Sequence, residues 1–126
     1  MKELIIKKCQ KCGALVKVIK DCNCDNCGIT CCNEQMKEIK PNTSDGAVEK
    51  HKPTYTKKDK KLIVNVDHVM DEDHYIEWIC LLTDEEEKYV YLNPGEEAAV
   101  IFENTKEGKI YSYCNKHGLW VEDIKE

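Results

Sequence analysis

The chain has no arginine: all 19 of its basic residues are lysine. Bidentate contacts to guanine or phosphate therefore have no donor, and nucleic acid is disfavoured as a partner. Long apolar runs are also missing. None approaches the roughly 18 residues of a membrane span, so no membrane partner is expected. The N-terminus, Met1-Lys2-Glu3-Leu4-Ile5-Ile6-Lys7-Lys8, has neither the apolar stretch nor the small-residue cleavage site of an export signal, and a cytoplasmic location is the expectation. There is one phenylalanine, and the four histidines are all beyond residue 40. Composition is otherwise ordinary for a soluble chain of 126 residues, at 41% hydrophobic and 34% charged.

Cysteine is the exception, with nine residues. An odd count without an export signal favours metal over a disulfide framework. Seven of the nine lie in residues 1–32, where there is no histidine. That split predicts two modules with different metal chemistry. They are divided near Pro41-Asn42-Thr43-Ser44-Asp45-Gly46, a cluster of turn formers. The expected domains are residues 1–40 and 41–126. The first is too short to stabilise itself by an apolar core and needs a metal. Its one convincing strand is Ala14–Ile19. The second reads as all-β. Short β-rich runs at 62–66, 75–82, 88–92, 98–102, 109–114 and 119–121 predict a small β-sandwich, with Val64, Val66, Trp78, Ile79, Val100 and Phe102 in its core.

The histidines fall in three stretches: Glu49-Lys50-His51-Lys52-Pro53, His68-Val69-Met70-Asp71-Glu72-Asp73-His74, and Cys114-Asn115-Lys116-His117. Four imidazoles with one soft sulfur suit iron better than calcium or magnesium, which prefer oxygen. On one strand His68 and His74 would be roughly 20 Å apart. They can share an ion only if the acidic residues between them turn back. Any one of these histidines alone is more simply a surface residue. Cys9-x-x-Cys12 with Cys31-Cys32 supplies four thiolates, and neighbouring ligands such as Cys31 and Cys32 require a kinked backbone. By spacing, Cys24-x-x-Cys27 is an alternative second pair, and iron and zinc are both admissible. Cys80, within a strand pattern, is expected to be an inert buried thiol. Net charge is −5, but residues 50–61 carry +5 and the rest −10, and the link to His51 implies that this basic stretch folds as a loop over the histidines.

Glu-Lys-His-x-Pro, His-x5-His before Trp78, and Cys-Asn-x-His-Gly-Leu-Trp resemble the superoxide reductases. Cys9-x-x-Cys12-Gly13 with Cys31-Cys32-x-x-x-Met36 is similar to the desulforedoxin-type module that precedes the catalytic domain of desulfoferrodoxins. Together the likeness spans nearly the whole chain. It implies a mostly β protein: a small desulforedoxin-like, metal-stabilised module followed by an immunoglobulin-like β-sandwich. It implies two mononuclear iron sites, one held by His51, His68, His74, His117 and an axial Cys114, the other by Cys9, Cys12, Cys31 and Cys32. The implied activity is one-electron reduction of superoxide to hydrogen peroxide, with rubredoxin or a similar donor supplying the electron, in a homodimer. Glu49 would be the carboxylate that closes the sixth iron position in the oxidised enzyme, and Lys50 the cation that attracts superoxide. Taken alone, Glu49-Lys50 would be an ordinary exposed pair. Cys22, Cys24 and Cys27 depart from the family pattern. A non-catalytic two-iron electron-transfer protein and a zinc-stabilised binding module are the alternatives.

Overall fold

The structure is a computed structural model. It describes residues 2–25, 27–44 and 46–126, and the Glu49 side chain lies outside the described residues. The chain divides into two compact units, Leu4–Lys40 and Pro41–Glu126, the first three residues grouping with the latter.

The smaller unit has five short strands. Strands β1 (Ile6–Lys8), β2 (Leu15–Lys17) and β5 (Lys37–Glu38) form one antiparallel sheet in the order β2-β1-β5. β3 (Thr30–Cys31) and β4 (Glu34–Gln35) form a two-stranded ribbon. Among the described residues, only Leu4, Ile6, Cys9 and Met36 of its apolar side chains are buried. So little apolar burial does not offset the entropy of ordering the unit. The expected strand at 14–19 is real but shorter.

The larger unit begins with a single helical turn, α1 (Val48–His51), followed by seven strands. β6 (Thr54–Lys58), β7 (Lys61–Asn65) and β10 (Ala99–Glu103) form a sheet in the order β10-β7-β6. β8 (Ile76–Leu82), β9 (Glu87–Tyr91), β11 (Gly108–Cys114) and β12 (Gly118–Ile124) form a second, in the order β12-β11-β8-β9. Leu62, Val64 and Phe102 from the first pack against Ile76, Ile79, Leu81, Ile110 and Ile124 from the second. This is an immunoglobulin-like β-sandwich, as expected. Among the described residues no helix is long and apolar enough to cross a membrane.

Three expectations need correction. The lysine-rich stretch after Pro53 is not a loop over the histidines. It is the β6–β7 hairpin, pairing Thr54 with Asn65 through Lys58 with Lys61. Half-buried Tyr55 and Lys57 alternate with exposed Thr54, Thr56 and Lys58, which makes it a strand despite its charge. Its tip lies roughly 13 Å along the strand from Thr54. Second, Trp78 is buried but on the opposite face of β8 from Ile79, stacked on Tyr113 at 5.6 Å between ring centroids. Third, Val100 is only partly buried at the core's margin.

One irregularity bears on function. Tyr113 pairs with Trp78, but Cys114 pairs with Ile76, so β8 carries Glu77 as an extra residue. The bulge keeps Ile76 on the core face with Cys114, at the end of the sandwich where β11 stops. Replacing Ile79, fully buried between the sheets, by Ala should lower stability by about 2–5 kcal/mol. Thermal unfolding of the protein and its Ile79→Ala variant checks this.

Candidate metal centres

The four histidines and Cys114 come together from separate segments. His51 ends α1, His68 follows β7, His74 closes a turn, Cys114 ends β11 and His117 lies in the turn before β12. The acidic stretch does fold back: Asp71 and His74 exchange backbone hydrogen bonds, 3.0 and 3.2 Å long. One donor atom from each of the five residues lies within 4.8 Å of all the others.

The rings form a closed circuit. Centroids are 4.7 Å apart for His51 and His68, 4.6 Å for His68 and His74, 5.1 Å for His74 and His117, and 4.6 Å for His117 and His51. Cys114 Sγ lies 3.3 Å from His68 Nε2 and 3.8 Å from His117 Nδ1. Those two rings are opposite corners of the circuit, so the sulfur sits near its axis.

Backbone carbonyls select the inward nitrogens. His51 Nδ1–H donates to Ala47 O at 2.8 Å and His68 Nδ1–H to Val69 O, leaving each Nε2 with a lone pair facing in. His51 Nε2 and His117 Nδ1 are 2.9 Å apart. His74 Nε2 is buried with no hydrogen-bond partner among the described residues. Such an orphan costs about 1–3 kcal/mol unless something satisfies it. Burial, then the neighbouring imidazoles, holds His51 and His68 below the usual histidine range, so both are neutral and ready to ligate. Burial pushes the Cys114 thiol up. A cation at the centre would satisfy the orphan, neutralise the sulfur and separate the crowded nitrogens. The donor set fits a metal.

Several supporting residues escaped the sequence reading. Asn115 brackets His74: its Nδ2 donates to Asp73 O and its Oδ1 accepts from Tyr75 N–H, both at 3.0 Å. Trp120 stacks on His51 at 5.0 Å and donates from Nε1 to His117 O at 3.1 Å. Its cross-strand neighbour Ser112, fully buried, donates to His51 O at 2.7 Å. Ser44 Oγ donates to His117 O. Gly46, at φ +143°, is so close that a Cβ there would meet His51 Cε1 at 2.9 Å. Asn115 and Trp120 lie inside the Cys-Asn-x-His-Gly-Leu-Trp motif, and that adjacency was the available signal. Lys50 is exposed on α1 beside His51.

In the smaller unit Cys9, Cys12, Cys31 and Cys32 also converge within 4.8 Å. Cys12 Sγ is 3.6 Å from Cys31 Sγ, which is 3.9 Å from Cys32 Sγ. The kink that neighbouring ligands demand is present: Cys32 and Asn33 have φ of 55° and 64°. The Cys12 backbone N–H holds the Cys9 thiol down at about 6, and the hydrogen bond shared with the Cys12 sulfur pushes Cys31 up to about 12. Four sulfurs this close to one another fit a metal with four thiolate ligands. Cys24-x-x-Cys27 is not a second ligand pair, because Cys27 is disulfide-bonded to Cys22. The expectation of metal rather than disulfides fails for those two residues. Cys80 is fully buried in β8.

A sandwich with a four-histidine, one-cysteine centre and a separate four-cysteine unit define a metalloprotein with two distinct sites. A family model described as desulfoferrodoxin matches residues 43–123. The desulfoferrodoxin of Desulfarculus baarsii is 40% identical over 125 residues, covering 93% of this chain and 94% of that protein. That of Nitratidesulfovibrio vulgaris is 40% identical over 120 residues, covering 91% and 92%. The superoxide reductase of Treponema pallidum superposes with a TM-score of 0.71 at 26% identity, covering 96% of this chain and 99% of that one. The chain belongs to the desulfoferrodoxin family. Its cofactor is iron, and the two clusters are the groups able to hold it.

Trp120→Phe keeps an aromatic ring against His51 but removes the N–H to His117. It should weaken metal retention by the histidine cluster roughly 10–100-fold, measured by chelator competition, with the fold intact by circular dichroism. Stripping metal from the four-cysteine cluster should unfold Leu4–Lys40 while the sandwich keeps its protection from amide exchange. Hydrogen exchange of the stripped protein reads both at once.

Proposed function

We propose that the protein is a superoxide reductase, taking one electron and two protons to convert superoxide to hydrogen peroxide. The observation that carries this reading is the closed circuit of four imidazoles with a cysteine sulfur on its axis, in a chain of this family. His51, His68, His74, His117 and Cys114 would hold the metal. Iron bound there would supply a one-electron couple for a small anionic substrate. We assign residues 41–126 as the catalytic domain and 1–40 as a desulforedoxin-like module whose Cys9, Cys12, Cys31 and Cys32 hold the second iron.

The chain's own residues do the rest. Four neutral imidazoles and a single thiolate would leave a divalent centre net positive, which favours an anionic substrate. Trp120, Ser112 and Asn115 hold three ligand-bearing segments in place, so little reorganisation accompanies substrate entry. Lys50, exposed next to His51, draws superoxide in and supports proton delivery through solvent. Glu49, whose side chain lies outside the described residues, keeps the role its motif implies, closing the open position after turnover. The electron comes from rubredoxin or a similar donor, and a homodimer in the cytoplasm is the assembly we expect.

Mixing the reduced protein with superoxide in stopped flow tests the reading. One hydrogen peroxide per superoxide consumed, without dioxygen release, supports it. Release of dioxygen would indicate dismutation, and no consumption would indicate a protein that only relays electrons.

Two variants refine the assignment. Cys114→Ser should abolish turnover and the thiolate-to-iron absorption while the sandwich stays folded, since Cys114 lies at one end of a core that Leu62, Val64, Ile79, Leu81 and Ile110 also fill. Retained absorption would remove Cys114 from the ligand set. Lys50→Ile should slow the second-order reaction while leaving both metals bound. Steering by a local field changes rates by roughly 10 to 10³-fold in general and weakens with salt. Because the β6–β7 lysines sit on a hairpin leading away from His51, the effect expected here is at the low end. The variant's rate should depend less on ionic strength than the wild-type rate.

A further inference from the structure

The smaller unit has more sulfur than its metal cluster uses. Cys9, Cys12, Cys31 and Cys32 already complete a tetrahedral set. Outside it, Cys22 and Cys27 form a disulfide with Cα atoms 6.3 Å apart, five positions apart in sequence. Cys24, between them, is a free and exposed thiol. Cys22 is exposed and Cys27 half-buried.

The segment is tied down at both ends. At its start, Asp21 Oδ1 accepts from Lys7 Nζ on β1 at 3.2 Å and from the Cys22 N–H at 2.9 Å. The Lys7 hydrogen bond holds the Asp21 carboxyl below its usual range, so this anchor is an ion pair. At its end, Gly28 packs so closely on Gln35 that a Cβ would lie 3.0 Å from Oε1, and Ile29 O accepts from Met36 N–H at 2.8 Å. These anchors do not involve sulfur. They persist when the disulfide opens, so the three thiols stay neighbours and reclosure is entropically cheap. An exposed disulfide with a thiol inside its own ring is the kind that exchanges readily.

We propose that Cys22, Cys24 and Cys27 form a two-electron thiol–disulfide site, oxidised by a hydroperoxide, reduced by a dithiol, and separate from the metal-binding sulfurs. In oxidation, the thiolate of Cys22 or Cys27 attacks the peroxide. An S–O bond forms, the O–O bond breaks, and the leaving oxygen departs as water after protonation. The second thiolate then attacks the new sulfenic sulfur, an S–S bond forms, and a second water leaves. Two thiols and one hydrogen peroxide give one disulfide and two waters. An external dithiol reverses the change by two exchange steps and is itself oxidised to a disulfide. Cys24 exchanges with the bridge internally: its thiolate attacks one sulfur, the S–S bond moves, and the other sulfur leaves as thiolate with no net redox change.

The site does not depend on the histidine centre being a superoxide reductase, although that reaction would produce the oxidant in the same molecule. The test therefore uses added reagent. The iron-loaded full chain is reduced with a dithiol, freed of it, and given one equivalent of hydrogen peroxide. Remaining thiols are then alkylated and the digested peptides weighed. The expected result is a Cys22–Cys27 linkage with Cys24 alkylated, unchanged absorption from the four-cysteine iron, and return to three thiols with dithiol. Cys24→Ser should give that linkage alone, whereas wild type should add a minor fraction linked through Cys24. Three alkylated thiols after peroxide would overturn the proposal. So would a bridge that resists dithiol in the folded protein, since that is a permanent cross-link. Loss of iron absorption in step with disulfide formation would also overturn it, because the loop sulfurs would then be ligands.

Discussion

The larger unit is organised around one electrostatic demand: four imidazole nitrogens and a sulfur face one another within 4.8 Å. Crowded lone pairs repel, and the buried His74 Nε2 has no partner among the described residues. Such a cluster persists only if the surrounding structure holds it and a cation completes it. The sandwich supplies the holding. β11 ends on Cys114, its β8 bulge sets the face, and the Asn115, Trp120 and Ser112 hydrogen bonds fix the loops that carry the histidines. The core between the sheets stabilises the scaffold, while the loops at one end carry the chemistry, a common division in β-sandwiches.

The smaller unit meets the same demand with fewer means. Its short strands bury little, and its backbone accepts two left-handed residues, Cys32 and Asn33, to bring neighbouring sulfurs to one point. That conformation is costly without a ligand to reward it. Metal binding and folding are therefore one process there, whereas in the sandwich the fold precedes the site. The extra cysteines are in the part of this unit that contributes no ligand, which is why they are free to do other chemistry.

Much of this was legible in the sequence because it depends on residue type and local spacing. The separation of seven cysteines from four histidines predicted two kinds of site, and short β-rich runs with regular turns predicted the sandwich strands. The failures are instructive in the same terms. β6 was hidden because four of its five residues are threonine or lysine, and only Tyr55 marks the inward face. Trp78 was assigned to the core because hydrophobicity does not say which face a bulged strand presents. Spacing alone allowed Cys24 and Cys27 as ligands, since it does not reveal that Cys27 is closer to Cys22.

The sequence by itself determined the inventory: which donors exist, that none of the cations is arginine, and that a short cysteine-rich stretch needs a metal to fold. Tertiary structure alone decided geometry. It brought His51 Nε2 to 2.9 Å from His117 Nδ1, 66 residues away, whereas the inward nitrogens of His51 and His68 are set locally by the carbonyls of Ala47 and Val69. It placed Cys114 across opposite corners of the ring circuit, and it carried the lysines of β6 and β7 away from His51 along a hairpin. The physical reason is the same throughout. Ligand type is a property of a residue, but direction comes from long-range strand register and from hydrogen bonds between segments tens of residues apart.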